Sequence, residues 1–169
     1  MKYRFNRQKM KIGMRTAKTG LSVFTVLLLF HLLGWEGTQI AALTTVFSLR
    51  EDFDKSLSFG WSRILGNSIG GVLALLFYLV EAFFNHSFLI TLFLVPILTM
   101  LTIVLNVAIN NKSGIIGATA ALLIITLSVP SGDTIIYVFT RIFETFVGVF
   151  IAIIINSDID RLRQFLIKK

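Results

Sequence analysis

The stretch TIIYVFTRIFETFVGVFIAIIIN, residues 134–156, is apolar over a length suited to a bilayer, yet it carries Arg141 and Glu144 near its middle. A helix crosses the hydrocarbon core, ~30 Å thick, in about 17 to 25 residues. A charge at its centre costs about 2.5 to 3.5 kcal/mol on insertion scales. Either an internal ion pair or a polar pathway has to offset that cost, and the rest of the chain decides what surrounds it.

Outward from this stretch the same composition continues. Of 169 residues, 55% are hydrophobic, 16 are Phe and only 15% are charged; the mean hydropathy is +0.82. A soluble domain of this size has a high surface-to-volume ratio and needs a larger polar skin than that. The solvent is therefore lipid. Cysteine is absent, which removes disulfides, thiol nucleophiles and thiolate metal sites. His31 and His86 are far apart and give no metal-ligand spacing. Neither a metal nor a cofactor is expected. A net charge of +7 suits nucleic acid only where a basic face interleaved with aromatics sits on a soluble fold, so no nucleic-acid partner is expected either.

Six apolar runs follow one another: 17–33, 38–49, 56–80, 88–105, 113–129 and 134–156. The second is short for a crossing, so the parity needs a separate test. Basic residues near short loops are retained on the cytoplasmic side. Lys2, Arg4, Arg7, Lys9, Lys11, Arg15 and Lys18 precede or open the first run; Arg50, Lys55 and Arg63 surround the second connection; Lys112 marks the fourth; Arg161, Arg163, Lys168 and Lys169 form the tail. The first, third and fifth connections, WEGTQ, EAFFNHSF and PSGDT, contain none. Six crossings put every basic residue except Arg141 at one side, whereas five would put the tail outside. The expectation is an all-α membrane protein with six transmembrane helices and both termini cytoplasmic, multi-pass in the plasma membrane. Residues 1–16 read as a basic amphipathic segment on anionic lipid, 17–156 as the transmembrane domain and 157–169 as a basic cytoplasmic tail. The short second run crosses by thinning the bilayer or by drawing Gly34 to Gln39 into it. A signal peptide is the alternative for the N-terminus, but the first small-residue site, at Ala41 and Ala42, lies within the second run.

Spacing sets which face of each helix meets protein. Arg63, Asn67, Gly70, Ala74 and Tyr78 share one side of the third run, with Gly66 and Gly70 as a small-xxx-small pair. Tyr137, Arg141, Glu144, Gly148 and Ala152 share one side of the sixth. Small residues let helix backbones approach where lipid offers no hydrophobic drive, so both faces should point into the bundle. Gly66, Gly70, Gly117 and Gly148 are read as helix-packing positions. Thr99, Thr102, Asn106 and Asn110 line the fourth run for interhelical hydrogen bonds, with Pro96 as a kink. Sliding the chain by 78 residues lays RILGNSIGGVLAL (63–75) over RIFETFVGVFIAI (141–153), matching Arg, Ile, Gly and Ala. A unit of three crossings would be inserted upside down in its second copy, a 3+3 inverted repeat of the kind that puts a solute site at the midplane. Arg63 and Arg141 would then lie at equal depths from opposite faces and offer planar donor forks to an anion.

The stretch GWEGTQIAALTTVFSLREDFDKSLSFGWSRILGNSIGGVLAL (34–75) resembles the aromatic acid exporter family within the fusaric-acid-resistance-like superfamily: a small, Thr-containing second helix, a charged connection, and an Arg-x-x-Gly-x-x-x-Gly start to the third. NNKSGIIGATAALLIITLSVPSG (110–132) and VGVFIAIIINSDIDR (147–161) resemble its short bacterial members. Larger members carry a further cytoplasmic domain after the sixth helix, which this chain, ending at Lys169, would lack. The resemblance implies a six-helix membrane domain, dimeric or larger as a homo-oligomer, that exports aromatic carboxylates or passes other organic anions.

Enzymes are excluded on residues: there is no phosphate-binding Gly-rich loop and no nucleophile-base grouping. Glu51, Asp52 and Asp54 sit beside Arg50 and Lys55 and read as a solvated turn. Two classes remain. One is an organic-anion transporter or channel with Arg63, Asn67, Tyr137, Arg141 and Glu144 along the solute pathway, Glu144 being a candidate for proton coupling. The other is a non-transporting structural or partner subunit in which the Arg and Glu are assembly glue.

Overall fold

The computed structural model describes residues 13–50, 53–84, 87–128 and 134–167, and among them the chain is helical throughout its ordered elements. The helices are α1 (Met14–Leu33), α2 (Thr38–Ser48), α3 (Phe53–Phe83), α4 (Phe88–Ala108), α5 (Ile115–Ser128) and α6 (Thr134–Ile167), with a 3-10 turn at Lys112–Gly114 leading straight into α5. By length and composition α1, α3, α4 and the Ile135–Ser157 part of α6 suffice to cross a membrane. The 11 residues of α2 reach only ~16 Å, about half of the core.

Contacts between the helices fix their directions. Gly60 packs on Val149, Asn67 on Thr145 and Gly71 on Val138, so α3 and α6 run antiparallel. Gly37 meets Glu144 and Ala41 meets Gly148, which makes α2 parallel to α6. Gly114 meets Gly66, Ala118 meets Gly70, and the Tyr78 hydroxyl donates to the Ile125 carbonyl at 3.0 Å, so α5 is parallel to α3. Lys18 bonds Asn156 while Trp35 stacks edge-on against Phe143 at 5.3 Å, which sets α1 antiparallel to α6. The Asn111 side chain, just past α4, donates to the Ser62 carbonyl. Successive helices thus alternate in direction. Arg15, Lys18, Arg50, Lys55 and Lys112 all fall at one end, and the connection from Gly34 to Gly37 lies at the other.

The expected repeat is present in three dimensions. The Gly60–Val149 contact has its counterpart in Val138–Gly71, and Asn67 bonds Thr145, its own equivalent 78 residues on, at the centre of the pseudo-two-fold relation. Gly70 lies against Ala118 and Ala121 as Gly148 lies against Ala41 and Thr44. α1 ends with Gly34 in the left-handed region and α4 with Asn110 at φ 58. Each closes the same cap: Trp35 N–H donates to Phe30 C=O and Gly34 N–H to His31 C=O, while Asn111 donates to Asn106 and Asn110 to Val107. Leu73, Phe77, Val95, Leu98, Leu122 and Ile125 join α3, α4 and α5 in one apolar cluster; Val26, Phe30, Ala41, Ile151 and Ile155 join α6, α1 and α2 in its twin. With the first half running forward, backward, forward and the second the reverse, the repeat is inverted.

Several boundaries differ from the sequence reading. α6 continues to Ile167 and α1 begins at Met14, so the helices pass through the proposed limits at 156 and 16, because nothing in SDIDRLRQF or MRTA breaks a helix. The Thr–Asn stripe of α4 bonds mainly to its own helix: Thr99 to Val95 C=O, Thr102 to Leu98 C=O and Asn106 Nδ2 to Thr102 C=O. A hydroxyl or amide in lipid finds the i−4 carbonyl first. Residues 1–12, Glu51, Asp52, His86, 129–133 and the last two lysines lie outside the described residues, as do the side chains of Arg161 and Arg163.

A Cβ at Gly148 would strike the Ala41 carbonyl, whereas one at Gly20 meets nothing within 4 Å. Both lie inside helices, where Ala is otherwise favoured by about 0.5–1 kcal/mol. Gly20→Ala should therefore stabilise the detergent-solubilised protein slightly, and Gly148→Ala should destabilise it by about 1–3 kcal/mol through overpacking. Thermal unfolding reads both, and equal shifts of one sign would contradict the close approach of α2 and α6.

Candidate functional site

The short helices place the site. Because α2 starts beside Glu144, ten residues into α6, and α5 starts beside Gly66, thirteen into α3, each N-terminus lies ~15 to 20 Å along a long helix. Gly37 thereby lies beside the interior of α6 rather than beyond its end. The first N–H groups of a helix lack intrahelical partners and carry partial positive charge. The α2 N-terminus borders a cleft of about 800 Å³ lined by Glu36, Gly37, Thr38, Tyr137, Arg141 and Glu144 among others, and the first turn of α5 borders a smaller cavity through Ile116 and Gly117.

Arg141 is the hinge of this space. Its side chain is 6% exposed, it lines the 800 Å³ cleft, and it also lines a smaller cavity of about 100 Å³ shared with Arg63, Asn67, Thr44 and Phe47. Around that cavity Arg141 Nε and Nη1, Arg63 Nε and Thr44 Oγ1 are buried without a hydrogen-bond partner. Unpartnered buried polar atoms are rare and costly. Here they are three guanidinium nitrogens and a hydroxyl, a donor set that asks for an acceptor such as a carboxylate. The Arg63 guanidinium lies 4.8 Å from the Phe47 ring centroid, and Gly117 leaves it room, a Cβ there standing 3.4 Å from Arg63 Cζ.

Each expected pathway residue can now be placed. Arg63 and Arg141, one from each half, reach a single cavity, and Asn67 joins them on its wall while its amide donates to Thr145 Oγ1. Tyr137, 36% exposed, borders the wider cleft. Glu144 is buried, close enough to Arg141 to attract it, but its carboxylate presses against Gly37 at the α2 N-terminus. It also borders a pocket of about 300 Å³ with Trp35 and Phe30. The packing glycines Gly66, Gly70, Gly117 and Gly148 all sit at buried helix contacts. Residues not anticipated are Thr145, Thr44 and Gly37. The 78-residue offset pairs Thr145 with Asn67 and was the available signal for it; Thr44 and Gly37 carry no signal until α2 is laid on α6. A buried polar chain at the basic end, from Lys18 Nζ to Asn156 Oδ1 at 2.8 Å and from Asn156 Nδ2 to Ser56 Oγ at 3.0 Å, also joins distant helices.

The family model for aromatic acid exporter family member 1 matches residues 10–159. The chain belongs to the aromatic acid exporter family. It is a membrane transporter rather than an enzyme, and the resemblance carried by residues 34–75 extends through all six helices. No curated protein and no solved structure matches it. Arg63 and Arg141, one from each half, both line the smaller cavity, and Arg141 alone of the two also lines the larger cleft.

Gly37 takes φ +78 and has its would-be Cβ position filled by the Glu144 carboxylate. Gly37→Ala should therefore suffer both left-handed strain, about 1–3 kcal/mol, and a clash of similar size. In a Glu144→Ala background the clash vanishes and the cost of Gly37→Ala should fall by about 1–3 kcal/mol, the coupling a double-mutant cycle measures. Additive losses would mean that the two groups are not in contact.

Proposed function

We propose that this transporter moves organic carboxylate anions out of the cell, aromatic carboxylates first among them, across the plasma membrane. The basic helix ends face the cytoplasm, in line with the retention of Lys and Arg on that side, and the cleft between α2 and α6 faces outward. A homo-oligomer, dimeric or larger, is the working assembly. The observation that carries the solute reading is the buried Arg141 guanidinium, two of whose nitrogens lack partners where it borders two cavities. Arginine stays charged and presents a planar fork that matches a carboxylate. The α2 N-terminus adds positive potential at the same place, and Tyr137 and Phe47 offer ring faces to an aromatic body.

The assembly-glue alternative needs an ion pair that satisfies both charges. Instead Glu144 rests on the α2 N-terminus and leaves Arg141 Nε and Nη1 open. Glu144 serves as a fixed counter-charge that keeps the cleft from holding an anion too tightly, and its protonation is the available route for proton coupling.

Benzoate efflux from proteoliposomes tests the reading. Losing a charge-assisted hydrogen bond costs about 1.5–3 kcal/mol, so Arg141→Ala should weaken benzoate handling by about tenfold to more than a hundredfold. Arg63→Ala should do so as well, and Arg141→Lys should recover only part of the loss because it lacks the fork. Glu144→Gln should change the rate while insertion and assembly stay intact. Arg141→Ala protein that inserts normally and still moves benzoate at the unaltered rate would overturn the proposal.

A further inference from the structure

The two halves share one design but differ in the contacts at the two ends of the proposed solute path. At the outer end Glu36 and Thr140 both line the cleft and the 300 Å³ pocket. The matching contacts Gly37–Glu144 and Gly114–Gly66 put α5 77 residues after α2, so the equivalents at the basic end are Ser113 and Ser62, which are hydrogen-bonded hydroxyl to hydroxyl at 2.9 Å. Asn111 Nδ2 reinforces that closure by donating to the Ser62 carbonyl at 3.1 Å. One turn deeper, the outer half interposes the Glu144 carboxylate between α6 and Gly37, whereas its equivalent, Gly66, lets α3 lie directly against the Gly114 backbone. Arg141, itself buried, borders an 800 Å³ cleft, while the half-buried Arg63 lies beside Phe47 and the Gly117 turn of α5.

One sequence design in two arrangements is what a carrier with inverted repeats uses to face each side in turn. Resting on the proposed anion pathway, we propose that the α3–α5 contact made by Ser62, Asn111 and Ser113 is a closed gate over a second anion cleft, one that opens from the basic end onto Arg63 as the α2–α6 cleft shuts over Arg141. The protein is then a carrier for organic carboxylates, not an open channel. The smaller cavity, reached by both arginines, is the compartment common to the two states. The small side chains at the gate suit the role: two hydroxyls and one amide hold the end shut with few hydrogen bonds. Glu144 explains why the structure rests open outward, since a side chain fills the place where the other half brings backbone to backbone.

The chain has no cysteine, so a pair can be introduced without removing any. Ser62→Cys with Ser113→Cys should cross-link on oxidation in proteoliposomes. Benzoate flux should then be lost and should return on reduction, while radiolabelled benzoate still binds the oxidised protein through the outer cleft. A fully cross-linked protein that carries benzoate as fast as its reduced form, or a pair that never cross-links, overturns the gate. If benzoate neither binds nor crosses even in the reduced protein, the anion pathway itself fails, which separates the two conclusions. Should the double variant not assemble, Ser62→Cys alone answers: an impermeant maleimide reaching the basic end should label it slowly at rest and faster during benzoate turnover. Labelling indifferent to turnover counts against the gate.

Discussion

A guanidinium placed in the part of a helix that crosses lipid must be sheltered on every side or the helix does not stay there. Much of this structure follows from providing that shelter for Arg141. The acyl chains are kept away by α2 and α5, which are too short to cross alone and lie along the long helices as walls. Their early ends, rather than loops, border the solute space, and their free N–H groups make it electropositive. A full-length second helix would have filled this volume with apolar side chains and left the charge without a cavity.

What keeps the walls in place is close backbone approach between helices of opposite halves. Gly148 accepts the Ala41 carbonyl, Gly70 the Ala118 carbonyl, and Thr45 Oγ1 donates to the Gly148 carbonyl at 2.7 Å. In lipid such packing replaces the hydrophobic drive that would hold helices together in water. The central Asn67–Thr145 bond joins equivalent positions of the two halves, so strengthening it favours neither half over the other. Contacts nearer the helix ends, Glu144 on Gly37 and Ser113 on Ser62, differ between the halves.

Glu144 is where the repeat departs most in chemistry. Its equivalent is a glycine, so one half carries a counter-charge and the other a bare backbone contact. A symmetrical pair of arginines with a single asymmetrical carboxylate makes the outer and inner sides energetically unequal.

From the residues alone came the membrane class, through composition and run length, and the alternation of the helices, through the exclusion of Lys and Arg from three connections. Arg63 and Arg141 were legible as a pair because the 78-residue shift lays one on the other, and the family followed from residues 34–75. Other features were beyond sequence reach. The burial of Lys18 against Asn156, the seating of Glu144 on Gly37 and the closure of Ser62 on Ser113 each join residues more than forty positions apart. Apolar periodicity says which face of a helix is inward but not which neighbour it meets, since lipid and protein are equally apolar to a leucine. Only tertiary packing, by choosing partners at ångström range, decided that Ser62 meets Ser113 in one half while the Glu144 carboxylate stands against Gly37 in the other.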